Sequence, residues 1–290
     1  MPTPPPLHYE SLPKMPGARM VIALDGWMDG GEVSTGTIGW LIDRLGAKNV
    51  AHMEPDPFYL VNFPGSMEVT AMFRPHVDIT DGVISEYQEP SNTFFASPEH
   101  NLILFQGEEP NNAWQLYTDC VFHVAKEVGV KSVYFIGSFG GVVPHTRGPR
   151  IFATVSDAEI KPGLETLGIK FSNYEGPASV ATHLLTRAPD AGLIMANLSA
   201  EIPAYIEGLN AKSIEAVARK LAVILDLSLN FDELRKTSDR WERKLNKAVA
   251  KKEELLEHIQ KLEEDYDHEV FDTQMGDLKD FLKKQGVRVD

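Results

Sequence analysis

The sequence predicts a three-layer α/β/α fold with a mixed sheet, followed by a helical extension. Three observations carry this. Short apolar runs bounded by glycine or charge recur along the first two thirds of the chain, and segments with apolar residues at helical spacing fall between them. With 290 residues, 43% of them hydrophobic, the chain has enough apolar side chain to cover both faces of a large sheet.

Taken in order, the first buried strand is "RMVIALDG", and the helix "EVSTGTIGWLIDRLG" follows it directly, giving a βα unit. Further strand candidates are "NVAHM", "FYLVN", "GVISEYQ", "TFFAS" and "NLILFQG"; so many extended runs without intervening helices imply some antiparallel pairing. The helix "AWQLYTDCVFHVAKEVG" then leads into "SVYFIGSFGG", the strongest interior strand of the chain. "RIFATVSD" and "GLIMANLSAEIP" complete the buried strands, with "GPASVATHLLTRAPDAG" and "AKSIEAVARKLAVILDL" as helices around them.

From about Phe231 the character changes. Glycine and proline vanish until Gly276 and charge becomes dense. Leu234, Trp241, Leu245, Ala248, Leu255, Ile259, Leu262 and Tyr266 recur at steps of three and four, with Ser238 and Lys252 in the same seam, which predicts one long amphipathic helix. "DTQMGDLKDFLKKQGVRVD" reads as a short terminal helix and tail. The expected organisation is a Pro-rich segment 1–18, an α/β domain 19–230 and a helical extension 231–290. The stripe can pack on its own domain or pair with a neighbouring chain; its length favours a homo-oligomer.

Charge sets aside two classes of partner. The net charge is −14, and residues 231–290 hold 13 basic and 16 acidic residues, so the rest of the chain carries −11. Such a body repels nucleic acid and anionic lipid surfaces. The N-terminal "MPTPPPLHYESLPKMPG" lacks the basic and apolar blocks of an export signal, and a single cysteine, Cys120, rules out an internal disulfide framework. A reducing cytoplasm is the expected compartment. No HExxH or CxxC spacing occurs, and no metal or other cofactor is expected.

Two glycine-rich loops are the candidate sites. In "ALDGWMDGGEVSTG" the glycines Gly26, Gly30 and Gly31 match neither dinucleotide nor P-loop spacing, and Asp25 and Asp29 stand without a lysine or arginine. Glycines after a strand permit special backbone geometry, and Asp29 can cap the helix that follows; a cation or ligand site is the alternative. Asp25 with Asp29 and Glu108 with Glu109 follow predicted strands and can face one cleft, where close carboxylates shift each other's pKa. The second loop, "GSFGGVVPHTRGPRIFATVSD", places Ser138, Gly140 and Gly141 after a buried strand and His145, Arg147 and Arg150 just beyond. An anionic group from a ligand or partner finds its best site here; the alternative is an irregular turn whose arginines pair with local carboxylates. A triad of Ser138, His145 and an acid is conceivable, but the order G-S-F-G is not a nucleophile elbow.

At "NYEGPASVATHLLTRAPDAGLIMANLSAEIPAYIEGLNAKSIEAVARKLAVILDL" the chain resembles the PAC2 family, named for the proteasome assembly chaperone. Tyr174, Gly176, Pro177, Gly192, Leu198, Pro203 and Tyr205 meet the family pattern, and the two glycine loops agree with it, so the resemblance runs from about residue 19 to 235. It implies a phosphorylase/hydrolase-like α/β/α fold, oligomeric association and, for archaeal and eukaryotic relatives, a role in assembling the proteasome core particle. It supplies no catalytic residue. Some archaeal relatives dock through a terminal hydrophobic residue, tyrosine and any residue; this chain ends Arg288, Val289, Asp290, which does not support docking on proteasome subunits by that route.

Two functions follow as expectations: a non-enzymatic assembly or scaffold protein acting on a protein partner, and a small-molecule binder or hydrolase/phosphorylase-like enzyme using Asp25, Asp29, Glu108, Ser138, His145 and Arg147. Convergence of those side chains in one closed pocket discriminates the two.

Overall fold

The computed structural model describes the backbone of residues 4–284 and the side chains of residues 4–271. The terminal Arg288, Val289 and Asp290 lie outside the described residues. In chain order the elements are β1 (Leu7–His8), β2 (Ala18–Asp25), α1 (Val33–Leu45), β3 (Lys48–Met53), α2 (Met67–Ala71), β4 (His76–Thr80), β5 (Val83–Gln88), β6 (Asn92–Ser97), β7 (Leu102–Glu108), α3 (Trp114–Val128), β8 (Val130–Gly141), β9 (Arg150–Val155), α4 (Lys161–Glu165), β10 (Lys170–Phe171), α5 (Val180–Arg187), β11 (Ile194–Pro203), α6 (Ala211–Ile224), α7 (Asp232–Val249) and α8 (Glu253–Lys284).

One sheet runs β1-β3-β6-β7-β2-β8-β11-β9-β10. Its centre, β7-β2-β8-β11, is parallel, and β6, β3 and β9 are antiparallel to their inner neighbours. The central strands are apolar on both faces because both are covered. Met20, Ile22, Phe105 and Phe135 point to the layer of α3 and α5, where Tyr117, Val121, Val180 and Leu184 meet them. Val21, Ala23, Leu104 and Ile136 point to the layer of α1 and α6, against Val33, Ile38, Val217 and Leu221. The three-layer expectation therefore holds. Helix α1 stops where Gly46 turns left-handed (φ 57°) and its amide returns to the carbonyls of Asp43 and Ile42.

Three local expectations are corrected. "FYLVN" is no strand: Phe58 is fully buried edge-on to Tyr117, and the Tyr59 hydroxyl donates to the Glu108 carbonyl at 2.7 Å, so the segment plugs the end of β7. "GVISEYQ" is a strand, but it leaves the main sheet and pairs only with β4, in a ribbon whose every residue is exposed. The extension is not one helix plus a short one. It breaks at the exposed residues Ala250, Lys251 and Lys252, and α8 then runs without interruption through Gly276 to Lys284.

Part of the stripe of the extension packs on its own chain, while Ala248 and Lys252 are exposed and Val249 is buried in place of Ala248. Leu234 joins Ile214 and Ala218, Phe231 stacks on Trp40, and Ile259 and Leu262 are buried. The Trp241 indole donates to the Leu209 carbonyl at 2.7 Å. Among the described residues no helix is long and apolar enough to cross a membrane.

Candidate functional site

Both glycine loops lie at the carboxyl edge of the parallel strands, where open α/β sheets place ligands. The first is filled by its own bonds. Asp29 Oδ1 accepts from the backbone amides of Ser34 (2.6 Å) and Thr35 (3.2 Å), and Oδ2 accepts from the Thr35 hydroxyl at 2.5 Å. These are the orphan amides of the first turn of α1. Burial pushes the Asp29 carboxyl up to about 6 despite these bonds, and the Asp25 charge adds to the rise. Ser138 bridges back: its amide donates to the Met28 carbonyl at 2.7 Å and its hydroxyl to the Gly30 carbonyl at 2.7 Å. The positive-φ residues of this loop are Gly26 (137°), Gly31 (66°) and Glu32 (53°), not Gly30. At Gly26 a Cβ would also lie 2.7 Å from that of Glu109.

The carboxylates do not form one cluster. Asp25 and Glu108 sit opposite each other at the ends of β2 and β7, and burial followed by the Asp25 charge raises the Glu108 pKa. Glu109 turns away to accept the amides of Trp27 (2.8 Å) and Val180 (3.2 Å), tying the loop to the start of α5. Among the described residues no group of histidine, cysteine and acidic side chains could hold a metal ion.

The second loop is held from three sides. His145 is buried, and its backbone amide donates to the Tyr205 hydroxyl at 2.7 Å. Its Nε2 faces Asn246 Oδ1 at 3.0 Å, an acceptor only, so Nε2 carries the proton and Nδ1 accepts from the Tyr205 hydroxyl at 2.8 Å. Burial keeps the ring below its usual pKa. The neutral imidazole has no lone pair to spare, and Ser138 and His145 have different partners, so the serine triad is not formed. Arg150 pairs with Glu201 on the adjacent strand at 3.2 Å, both side chains mostly buried. Gly141 leaves the room for that carboxylate, since a Cβ there would lie 2.2 Å from Glu201 Oε1. Gly140, by contrast, faces only Ala204.

The outer surface of this loop meets α8. Arg147 grips Asp267 with two bonds, 2.8 and 2.7 Å, and lies 3.5 Å from Glu263. Arg150 also reaches Glu269 at 2.6 Å, and Lys170 shares that carboxylate at 2.8 Å. The Tyr266 hydroxyl donates to the Gly148 carbonyl at 3.0 Å while its ring lies under the Arg150 guanidinium at 4.7 Å. The arginines read as an anion site thus face carboxylates of the same chain, brought more than a hundred residues along the sequence. The sequence did hold one unread signal for their setting: Glu201 stands in an apolar strand, where a carboxylate needs a partner.

A model of the PAC2 family matches residues 23–249, which takes in both loops and most of the chain. The chain belongs to the PAC2 family. Solved structures that resemble it include the Mycobacterium tuberculosis proteasome-assembly chaperone homologue Rv2125, 24% identical, with 83% of this chain and 99% of that one covered at a TM-score of 0.71. The M. tuberculosis protein Rv2714, of unknown function, is 20% identical over 96% of this chain and 94% of its own, with a TM-score of 0.82. Pyrococcus furiosus PbaB, an archaeal proteasome activator, is 20% identical over 83% of this chain and 97% of its own, with a TM-score of 0.64. Identities this low speak for the PAC2 fold alone. No curated protein matches the sequence.

Proposed function

We propose that this PAC2 protein is a chaperone-like assembly or scaffold factor that works through its protein surface, without catalysing a reaction. The supporting observation is the fate of the polar groups at the sheet edge: Asp29, Ser138 and His145 spend their hydrogen bonds on helix caps, carbonyls and neighbouring side chains. In this reading the α/β body of 19–230 carries the sheet of the family fold, the family match continues through α7 to residue 249, and the extension of 231–290 shapes the surface. The site residues then serve as architecture beneath a contact surface. A homo-oligomer would be a compatible setting.

The test is native mass spectrometry and cross-linking on the full chain captured from its own host. A stoichiometric protein partner cross-linked at the carboxyl edge of the sheet supports the reading. A retained small molecule with no protein partner replaces it with the ligand-binding alternative.

A further inference from the structure

We infer that the loop Pro144–Arg150, together with Lys170, is a docking site for an acidic amphipathic helix of a partner protein, and that α8 fills this site in cis when no partner is present. The inference rests on the scaffold reading above and names the class of partner segment.

The site exists without α8. Arg150 is held by Glu201 of β11, and His145 by Tyr205 and by Asn246 of α7. Removing α8 leaves these bonds in place and exposes Arg147 and Lys170 as two uncompensated cations beside the Arg150–Glu201 pair, on a chain of net charge −14. Such cations select carboxylates, and Arg147 presents a planar fork that one carboxylate already satisfies with two bonds.

The cis ligand defines the chemistry. Glu263, Asp267 and Glu269 supply the charges, Tyr266 the ring beneath Arg150, and Ile259 and Leu262 the buried apolar residues, all on one stretch of helix. A partner helix with carboxylates at the same spacing meets the same groups.

The hold of α8 is of the kind that yields. Among residues 253–271 only Ile259 and Leu262 are buried. The Arg147–Asp267 and Lys170–Glu269 pairs remain substantially exposed, with side-chain accessibilities of 34% and 55%, then 39% and 47%; the firmer contacts are Arg150–Glu269, with the arginine 15% exposed, and the Thr146 hydroxyl donating to Glu263. Exposed pairs of this kind contribute little each and weaken with salt. What favours α8 is its tether: the short exposed link of Ala250–Lys252 keeps it at an effective concentration on the order of millimolar. The tether therefore sets a threshold, because a competing helix binds only the fraction of molecules whose site is open.

The test uses the full chain and a fluorescent peptide of residues 253–271 as the probe, read by anisotropy. A chain carrying Glu263→Ala, Asp267→Ala and Glu269→Ala, in which α8 is loosened, is expected to bind the peptide about tenfold more tightly than the parent. Adding Arg147→Ala to that chain, or raising salt from about 50 to about 300 mM, should weaken binding severalfold. Circular dichroism establishes that each variant is folded. Bridging Thr146→Cys to Glu263→Cys with a cleavable thiol reagent should abolish binding until the bridge is cut; Cys120 is buried, with its thiol pushed up to about 12, and does not compete. No binding by the folded, loosened chain, or binding indifferent to Arg147, overturns the docking site. If the full chain still captures a protein partner in that event, the scaffold reading survives.

Discussion

The two glycine loops sit side by side on one sheet edge and solve the same problem in opposite ways. Each must satisfy polar backbone and side-chain groups released where a buried strand ends. The first loop caps its own helix within a few residues, through Asp29, Ser34 and Thr35, and is otherwise tied by uncharged donors and Glu109 to the neighbouring strands and helix starts. The second closes mainly through β11, Tyr205 just past it, α7 and α8. A loop fixed by its own helix cap is part of the frame of the fold; a loop fixed by charged pairs from a distant helix is a surface that other groups can contest.

The sharpest way to break this comparison is at Arg150. Arg150→Ala leaves Glu201 buried without a partner and should cost about 3 kcal/mol in denaturant unfolding, while replacing both with apolar residues, Arg150→Met with Glu201→Leu, should recover most of it. If the single change is silent, the pair is not what holds the second loop. Next comes Gly26→Ala in the first loop, where a positive-φ backbone and the close approach of Glu109 should together cost about 2 kcal/mol.

Acid distinguishes the loops by sign. The folded Asp29 carboxyl, near 6, lies above its ordinary 3.8, so its contribution is full below about 4 and is lost as pH rises through 6. The advantage of Asp29→Asn over the parent in melting temperature should therefore grow from pH 4 to 7. Glu269 runs the other way. Its bond to Lys170 holds it below the usual carboxylate range, so its contribution is present above that range and is lost as pH falls. The deficit of Glu269→Gln should shrink on acidification, with melting curves at both ends of the range as the check. The smallest effect expected is at Gly148, which has no positive φ and nothing within 4 Å of the place a Cβ would take; Gly148→Ala should change stability by less than about 0.5 kcal/mol.

What the sequence disclosed follows the range of the interactions. The central strands and the flanking helices were legible because apolar periodicity is local, and Asp29 as a helix cap was legible because cap and helix are a few residues apart. Contacts between Arg147 and Asp267, or His145 and Asn246, have no local signature. The break at Ala250–Lys252 was missed because the seam pattern runs straight across it, and Gly276 misled because a glycine inside a helix lowers its stability without ending it. The hairpin of β4 and β5 carried an unread signal in "TDG": Asp81 and Gly82 both adopt positive φ, 48° and 77°, as a two-residue turn between strands requires.

That hairpin has a consequence for how the chain can be opened. Met53 and Asn92 face each other across β3 and β6, so everything between them leaves the sheet and returns at one point. Phe58 and Tyr59 still plug the end of β7, but beyond them the ribbon carries Val77 opposite Tyr87 and Ile79 opposite Ile84 out into water. Two strands alone are barely stable there. Limited proteolysis is therefore expected to cut near Asp81–Gly82, and the cut should divide the chain without dividing the molecule. The two fragments should remain paired along β3 and β6 and elute as one particle in size-exclusion chromatography, separating only under denaturant. The same exposed turn is where a short insertion should be tolerated, with every register of the nine-stranded sheet unchanged.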